Sequence, residues 1–148
     1  MSGSYGEGEV VTVDLGLTDL DTTSADYGDF LAAVLDAADM NPDVEFDAST
    51  GTLTYTSPSD GASMIPLEID LMLTDDGLIE GPEDFSIDLT NAASSTGVPV
   101  AVDAAAAGVT TTINDTQGDG GIADGPAEWQ SQVIYLLMKA DRLTTKLL

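Results

Sequence analysis

A short segment of the chain, residues 74–85, concentrates acidic side chains that could bind a cation. Its sequence, TDDGLIEGPEDF, holds five carboxylates, those of Asp75, Asp76, Glu80, Glu83 and Asp84. Like charges a few ångströms apart repel, and burying an unpaired carboxylate costs several kcal/mol. No Lys, Arg or His lies nearby in the sequence to balance them. Either the segment is a fully solvated loop, or a bound cation supplies the missing positive charge.

The rest of the chain shares this imbalance of charge. The 148 residues include 27 Asp and Glu and carry a formal net charge of −24. The three basic residues, Lys139, Arg142 and Lys146, all lie in the last ten positions. Such an acidic surface repels nucleic acid and anionic membranes, so neither is an expected partner. It favours divalent cations, or a salty medium that screens the repulsion.

Residue types that carry out catalysis are scarce. The chain has no Cys and no His, which excludes thiol nucleophiles, disulfides, the usual zinc sites and imidazole acid–base chemistry. Paired carboxylates can hydrolyse glycosides, but one Trp and three Phe are too few to line a sugar-binding cleft. We therefore expect no enzymatic activity.

Alternation of apolar and polar residues with a period of two dominates the sequence and is typical of half-buried strands. About seven segments show it, and each has one apolar face. They predict an all-β fold, an antiparallel immunoglobulin-like β-sandwich. The predicted strands are residues 9–17, 44–47, 52–56, 64–73, 85–91, 98–102 and 108–114.

One segment, residues 29–40, has helical spacing instead. Its apolar residues Phe30, Leu31, Val34, Leu35 and Ala38 predict a short amphipathic helix inserted between two strands. Either Asp26 or Asp29 could cap its first turn. The helix could bind a partner, but we favour the interpretation that it covers an open edge of the core.

The last part of the chain differs in composition. Residues 1–117 form the predicted sandwich domain, and residues 118–148 combine a Gly/Asp-rich linker with a C-terminal segment. The apolar run VIYLLM in that segment predicts a strand. The spacing of Trp129, Val133, Leu136 and Ala140 equally predicts an amphipathic helix. Local pattern does not decide between the two.

Four segments in order resemble the Calx-β repeat, the calcium-binding sandwich of sodium/calcium exchangers and bacterial surface proteins. VTVDLGLTDLDTTSADYGDF is similar to the family's strand B and the segment after it, and FDASTGTLTYTS resembles the next strand. The acidic segment followed by an alternating strand ending in TN matches the pattern DD-x-x-x-E-x-x-E-x-F. GVTTTINDT resembles the closing strand. The resemblance covers roughly residues 9–117 and implies an immunoglobulin-like sandwich.

The chain also departs from this family. Only eight residues precede the first predicted strand, so the family's strand A is missing at the N-terminus, and the insertion at 28–47 is longer than usual. GPAEWQ after the linker resembles the start of a next repeat's strand A. The C-terminal segment is therefore strand A of a next repeat, a donated strand, or an amphipathic helix. We expect part of 128–138 to be ordered against the sandwich, with a strand favoured over a helix.

The resemblance implies a calcium site. Oxygen ligands from carboxylates and carbonyls suit Ca²⁺, which takes six to eight of them. By motif, Asp76, Glu80 and Glu83 match the family's carboxylate ligands, and Leu78 would offer its backbone carbonyl. The remaining candidates are Asp75 as a bridging carboxylate, Asp19 or Asp21 from the loop after the first strand, and Asp115 from the closing cluster.

Two functions of different classes follow from these observations. The first is a non-catalytic, calcium-rigidified structural repeat of a large extracellular or cell-surface protein, an adhesin for example, whose partners are calcium ions and neighbouring repeats. The second is a self-assembling structural subunit of a filament or virion that pairs with copies of itself by strand exchange through the C-terminal segment.

Overall fold

The first strand of the chain, β1 (Val10–Asp19), lies at the centre of the main sheet. Val11, Val13 and Leu15 alternate with more exposed residues and are buried. On one side β1 pairs antiparallel with β3 (Thr52–Thr56), and β3 pairs with β2 (Val44–Asp47). On the other side β1 pairs with β5 (Glu83–Ser94), and β5 pairs with β6 (Gly108–Ile113). The result is a five-stranded antiparallel sheet in the order β2-β3-β1-β5-β6.

A second sheet has β4 (Leu67–Leu73) at one edge. In it β4 pairs antiparallel with β7 (Gln130–Lys139), which in turn pairs with β8 (Arg142–Leu147). The computed structural model describes residues 5–62, 64, 66–74, 82–105 and 107–113, and the backbone of residues 130–139 and 142–147. The apolar C-terminal segment therefore has strands, and its first strand supplies the neighbour of β4.

One hydrophobic core joins elements of both sheets. Leu53, Phe85 and Ile87 of the five-stranded sheet belong to the same buried cluster as Leu67, Ile69 and Leu71 of β4. Burying a large aliphatic or aromatic side chain contributes about 1.5–3 kcal/mol to stability. Tyr5 joins this cluster from the N-terminal segment, where its ring meets the Tyr55 ring edge to face at 5.6 Å.

The predicted helix is present as α1 (Phe30–Asp39), between β1 and β2. Of the two predicted caps, Asp29 is the one used, because its Oδ1 accepts a 3.1 Å hydrogen bond from the Ala32 amide. The predicted apolar face was partly wrong, since Leu31 and Leu35 are 40% and 38% exposed. The face that packs on the core consists of Phe30, Val34, Ala37 and Ala38.

Another sequence prediction, a strand at residues 98–102, was also wrong. This segment has no strand hydrogen bonding beyond a single bridge residue, Val102. Pro99 offers no backbone N–H to a neighbouring strand, and Val98 is 55% exposed.

In the part of the chain that the structure describes, no helix has the length and apolarity required to span a membrane.

A β-bulge interrupts the ladder between β1 and β5. The register shifts between Thr12 and Asp14, and Asn91 lies opposite this shift with a positive φ of 54°. Asp14 joins three strands there. It accepts hydrogen bonds from the Thr52 hydroxyl at 2.9 Å and from the Asn91 amide at 2.8 Å. Asn tolerates the left-handed conformation better than most residues, so the bulge is both permitted and fixed by side chains.

Candidate metal site at the end of the main sheet

Asp19 ends β1 at the edge of the core. It lies directly opposite Phe85 in the β1–β5 ladder. Its Oδ1 atom accepts hydrogen bonds from the Tyr27 hydroxyl at 2.5 Å and from the Thr22 hydroxyl at 3.1 Å. The Tyr27 ring packs on the Phe85 ring at 5.5 Å between centroids. Asp19 is therefore held by two hydroxyl donors above an aromatic pair that closes the end of the core.

Tyr27 is affected by this environment in turn. Its partial burial, followed by its hydrogen bond to Asp19, raises the pKa of the phenol to about 12. The negative charges of Asp19 and Asp26 act in the same direction, because a second anion beside them is unfavourable. Tyr27 consequently remains a neutral hydrogen-bond donor throughout the physiological pH range.

The turn after β1 is fastened to the start of β5 through one carbonyl group. The backbone oxygen of Asp84 accepts hydrogen bonds from the amides of Leu20, Asp21 and Thr22 at 3.1, 3.0 and 3.4 Å. The Thr22 hydroxyl also donates to it, at 3.2 Å. These contacts fix the two aspartates of the turn beside the first residues of β5.

A second aspartate organises the chain between the turn and the helix. Asp26 is buried, and its Oδ2 accepts hydrogen bonds from the amide and hydroxyl of Thr23. Asp26 therefore bonds back to the residue three positions earlier and does not cap α1. The Asp26 carbonyl accepts a 2.8 Å hydrogen bond from the Thr74 amide, and Tyr27 bridges to Leu73.

The same contacts hold both ends of the acidic segment 75–81 close to Asp19. At one end, Leu73 and Thr74 are bonded to Tyr27 and Asp26. At the other end, Phe85 pairs with Asp19 itself. The end of β4 and the start of β5, which flank the acidic segment in sequence, therefore both lie near the end of β1.

Three of the predicted calcium ligands fall within the described residues. Asp19 and Asp21 are exposed at the end of β1, and Glu83 is the partly buried first residue of β5. Asp19 pairs with Phe85, the Asp21 amide donates to the Asp84 carbonyl, and Glu83 directly precedes Asp84.

The predicted ligands Asp75, Asp76, Leu78, Glu80 and Asp115 lie outside the described residues, as does Trp129 of the predicted C-terminal contact. Among the described residues, no three acidic side chains approach closely enough to hold a metal ion by themselves.

One polar atom near this site lacks a partner. Asp84 Oδ1 is buried and makes no hydrogen bond in the described structure. A buried carboxylate oxygen without a donor is costly, and such atoms often mark an ion or water site. Asp84 lies on the face of β5 opposite to Phe85, whereas Asp19 pairs with Phe85, so this oxygen and the Asp19 carboxylate lie on opposite faces of the sheet.

A groove of about 650 Å³ opens beside the site, between β1 and the start of α1. Leu15, Tyr27 and Phe30 contribute to its apolar lining, and Ser24 and Asp29 contribute polar groups. Asp29 is already engaged in capping α1. The groove therefore offers a small ligand apolar surface and few free polar contacts.

The sequence analysis did not identify Tyr27 or Thr22 as parts of the site, and it counted Asp84 among the acids of the segment without assigning it a ligand role. The side-chain period of two places Asp84 and Phe85 on opposite faces of β5. From the pattern alone, Asp84 is therefore a residue that faces away from the core. Its role depends on a backbone carbonyl that collects three amides from a distant turn. No side-chain pattern encodes that contact.

Comparison with known proteins gives no relative to set beside this geometry, because no protein-family model, curated protein or solved structure matches the chain.

Proposed function

We propose that the protein is a non-catalytic, calcium-binding structural module of the Calx-β type. The observation that carries this proposal is the anchoring of both ends of the acidic segment 75–81 beside Asp19, through Tyr27 at one end and Phe85 at the other. The described carboxylates at this end of the domain are those of Asp19, Asp21, Glu83 and Asp84, and the acidic segment adds three more in the sequence between its two anchored ends. Calcium is the cation whose preference for many oxygen ligands suits such a set.

The corresponding fold is an immunoglobulin-like sandwich. Supporting it, β4 and the central strands β1 and β5 contribute to a single buried cluster, as the inner faces of two packed sheets would. The order β2-β3-β1-β5-β6 leaves β4 outside the main sheet, with β7 as its neighbour. The acidic end of β1 would then lie at one tip of the sandwich.

Charge gives calcium an energetic role. In residues 1–138 there are acidic side chains but no Lys or Arg, so no basic side chain from that range offsets repulsion among the acids around Asp19. A divalent ion that binds only the folded domain stabilises it by RT ln(1 + [Ca²⁺]/Kd), about 2.7 kcal/mol at a hundredfold excess over Kd. The orphaned Asp84 Oδ1 is an additional oxygen at this end of the domain that an ion or its water shell could satisfy.

This chemistry suits an extracellular or cell-surface setting. Calcium-binding extracellular modules work with Kd values of about 10⁻⁴–10⁻³ M, which are useful where calcium is abundant. An ion at the domain tip would lock loops that otherwise repel, and would stiffen the junction with a neighbouring repeat. The absence of Cys and His from the sequence is consistent with a structural rather than a catalytic role.

Calcium titration calorimetry of site variants tests this function. Asp19→Asn and the pair Asp76→Asn with Glu80→Gln should each weaken calcium binding at least about tenfold, because each removes ligand charge. The matched control is Asp36→Asn with Asp39→Asn, which neutralises two exposed acids on α1. If the control weakens binding as much as the site variants do, calcium responds to overall charge and the proposed site is wrong.

A second candidate function, a self-assembling filament or virion subunit, is favoured by one observation. The neighbour of β4 is the C-terminal strand β7, which is separated from β6 by residues 114–129. A connection of that length allows β7 to pair with β4 of its own chain or of another copy.

A cysteine pair distinguishes these two arrangements of β7. Asp70 and Val133 are direct partners in the β4–β7 ladder, at a spacing that a disulfide can bridge. In the otherwise Cys-free chain, Asp70→Cys with Val133→Cys should give covalent dimers on oxidation if strands are exchanged. A cross-linked monomer alone would rule out the exchange.

A further inference from the structure

The last part of β1 has a neighbouring strand on only one side among the described residues. β3 pairs with β1 as far as Asp14, and the contact ends with the 2.8 Å hydrogen bond from the Leu15 amide to the Gly51 carbonyl. On the other side, β5 continues beside β1 as far as Asp19. The central strand of the main sheet therefore has an unpaired stretch, which we call the open edge of β1 (residues 16–19).

The turn between β2 and β3 explains why this edge is open. The Gly51 amide donates a 2.8 Å hydrogen bond to the Asp47 carbonyl, so the hairpin closes directly after its last strand pair. Gly51 has a positive φ of 72°, and a Cβ atom there would lie 3.0 Å from the Leu15 carbonyl oxygen. Glycine therefore permits a tight turn against β1, and neither strand of the hairpin continues beside residues 16–19.

The alternation of hydrogen bonds along β1 identifies the backbone groups on the open edge. The Leu15 amide bonds toward β3, whereas the Leu20 amide bonds to the Asp84 carbonyl at the start of β5. Leu17 and Asp19 follow the pattern of Leu15, so their N–H and C=O groups face the side that β3 does not reach. No described residue bonds to these groups. The open edge thus offers backbone donors and acceptors to an added strand.

The groove of about 650 Å³ lies along the same edge. Leu17 lines it from β1, Gly51 from the turn after β2, and Leu31 from α1. Leu17 is half-buried, and Leu31 is 40% exposed. The volume is within the range of about 300–1,000 Å³ that is usual for ligand sites. Unpaired backbone groups and accessible apolar side chains therefore occur together here.

We propose that the open edge of β1 is a docking site for an extended peptide segment of a partner protein. The segment adds to the sheet as a short strand, in line with β3. Its direction is antiparallel to β1, as in both existing pairings of β1. The residues opposite Leu17 and Asp19 exchange main-chain hydrogen bonds with them.

The side chain opposite Leu17 should be apolar. Directly paired residues in neighbouring strands share a face of the sheet. Leu15 and Leu17 share the face of β1 that is directed to the core, and the groove continues on that face to Tyr27 and Phe30. The residue that pairs with Leu17 therefore directs its side chain into the apolar part of the groove.

The side chain opposite Asp19 should be basic. Asp19 is exposed, and residues 1–138 contain no Lys or Arg. Opposite charges in direct cross-strand positions are stabilising and like charges are destabilising, and the net charge of −24 repels an acidic segment. Read from its N-terminus, the segment has a basic residue, any residue and then an apolar residue. A second copy is a poor source, because its Lys and Arg lie in β7 and β8, which already pair with each other.

Titration of the ¹⁵N-labelled protein with a synthetic peptide tests the proposal. The probe is the acetylated and amidated peptide Thr-Lys-Thr-Ile-Thr, in which Lys is placed opposite Asp19 and Ile opposite Leu17. The titration is made in chelator, so that calcium binding does not contribute. We expect a dissociation constant of about 0.1–1 mM, as suits a short peptide. The amide signals of residues 17 and 19 should shift most, because their N–H groups gain partners.

Two N-methylated peptides test the backbone contact. Methylation of the Ile nitrogen removes the donor that would bond to the Leu17 carbonyl, and it should weaken binding at least about tenfold. Methylation of the middle Thr nitrogen removes an N–H that points away from β1, and it should weaken binding far less.

A pair of protein variants tests the groove. Leu31 and Leu35 both lie on α1 and are 40% and 38% exposed, but Leu35 is not part of the groove lining. Leu31→Gln should weaken peptide binding at least about threefold, whereas Leu35→Gln should leave it unchanged.

The charge pair is tested by Asp19→Asn. This variant should bind the Lys peptide at least about threefold more weakly than the wild type does. It should bind a peptide with Gln in place of Lys as well as the wild type does. Asp36→Asn, which neutralises an exposed acid on α1, is the control for net charge.

Three results would overturn the proposal. The first is the absence of shifts at residues 17 and 19 up to about 5 mM peptide. The second is equal affinity for the reordered peptide Thr-Thr-Lys-Ile-Thr, which would show that charge alone attracts the probe. The third is an equal loss of binding with both N-methylated peptides. If a protein variant does not fold, these comparisons on the wild-type protein decide the question alone.

Discussion

The Tyr27 hydroxyl donates a 2.5 Å hydrogen bond to Asp19 Oδ1 while its ring packs against Phe85, the residue opposite Asp19 in the ladder. One side chain therefore connects the apolar end of the core to the first carboxylate of the candidate metal site. Packing on Phe85 fixes the ring, and the fixed ring positions the carboxylate. The packing at the end of the core and the position of the Asp19 carboxylate are linked through this contact.

Replacing Tyr27 with Phe should change how stability depends on alkaline pH. The folded-state pKa of Tyr27 is about 12, above the value of about 10 for an unfolded chain. The unfolded state therefore loses this proton first, and the contribution of Tyr27 is complete below pH 10 and falls as pH rises through 12. Urea unfolding of the wild type and Tyr27→Phe between pH 8 and 11.5 measures this. The wild type should lose more stability over this range than the variant, and equal losses would contradict the assignment.

Removing the Asp14 carboxylate should destabilise the domain even though it lowers the net negative charge. Its oxygens accept hydrogen bonds from Thr52 and Asn91 across the three central strands. Hydrogen bonds to charged groups contribute about 1.5–3 kcal/mol each, less when partly exposed. Asp14→Ala should therefore lower the free energy of unfolding by about 1–2 kcal/mol. Asp36→Ala on the exposed face of α1 is the control for charge, and it should be neutral or slightly stabilising.

Asp29 and Asp26 should differ as determinants of helix stability, although the sequence offers both as caps. Asp29 accepts from the Ala32 amide, so Asp29→Ala should cost about 1 kcal/mol and Asp29→Ser much less. Asp26 is bonded to Thr23 instead. Asp26→Ser should therefore fail to behave as a conservative cap replacement and should weaken the turn that precedes α1. Thermal unfolding of the three variants distinguishes these roles.

Strand positions were largely predictable from the sequence because alternation directly reflects burial on one face. The predicted strands at 44–47 and 52–56 have the observed bounds of β2 and β3. Alternation fails at residues 98–102, where the pattern is present but Pro99 removes a donor and Val102 alone forms a bridge. The helix was also predictable in place, and its cap, Asp29, was one of the two aspartates that the sequence offered. Its buried face was not, because Leu31 and Leu35 are as apolar as the residues that the core happens to contact.

The candidate site was less predictable than the strands. Asp19 and Asp21 were proposed through the resemblance to the Calx-β repeat, which has an aspartate in the loop after its strand B. The role of Asp84 could not, since it depends on a carbonyl oxygen that receives three amides from a turn more than sixty residues away in sequence. Tertiary contacts of this kind leave no local pattern. The pairing of β7 with β4 is a similar case, because its apolar residues fit a helix or a strand equally well.

Thermal unfolding with different cations tests the central claim most directly. The wild type is melted in chelator, in excess calcium, in excess magnesium and in NaCl of matched ionic strength, and Asp76→Asn with Glu80→Gln is melted in parallel. Calcium should raise the Tm of the wild type by several degrees, as about 2–3 kcal/mol of binding energy would. Magnesium should do far less, because it requires a tight octahedral site, and the variant should not respond to calcium. Equal shifts with calcium, magnesium and NaCl would show that screening of charge, rather than a calcium site, stabilises this acidic domain.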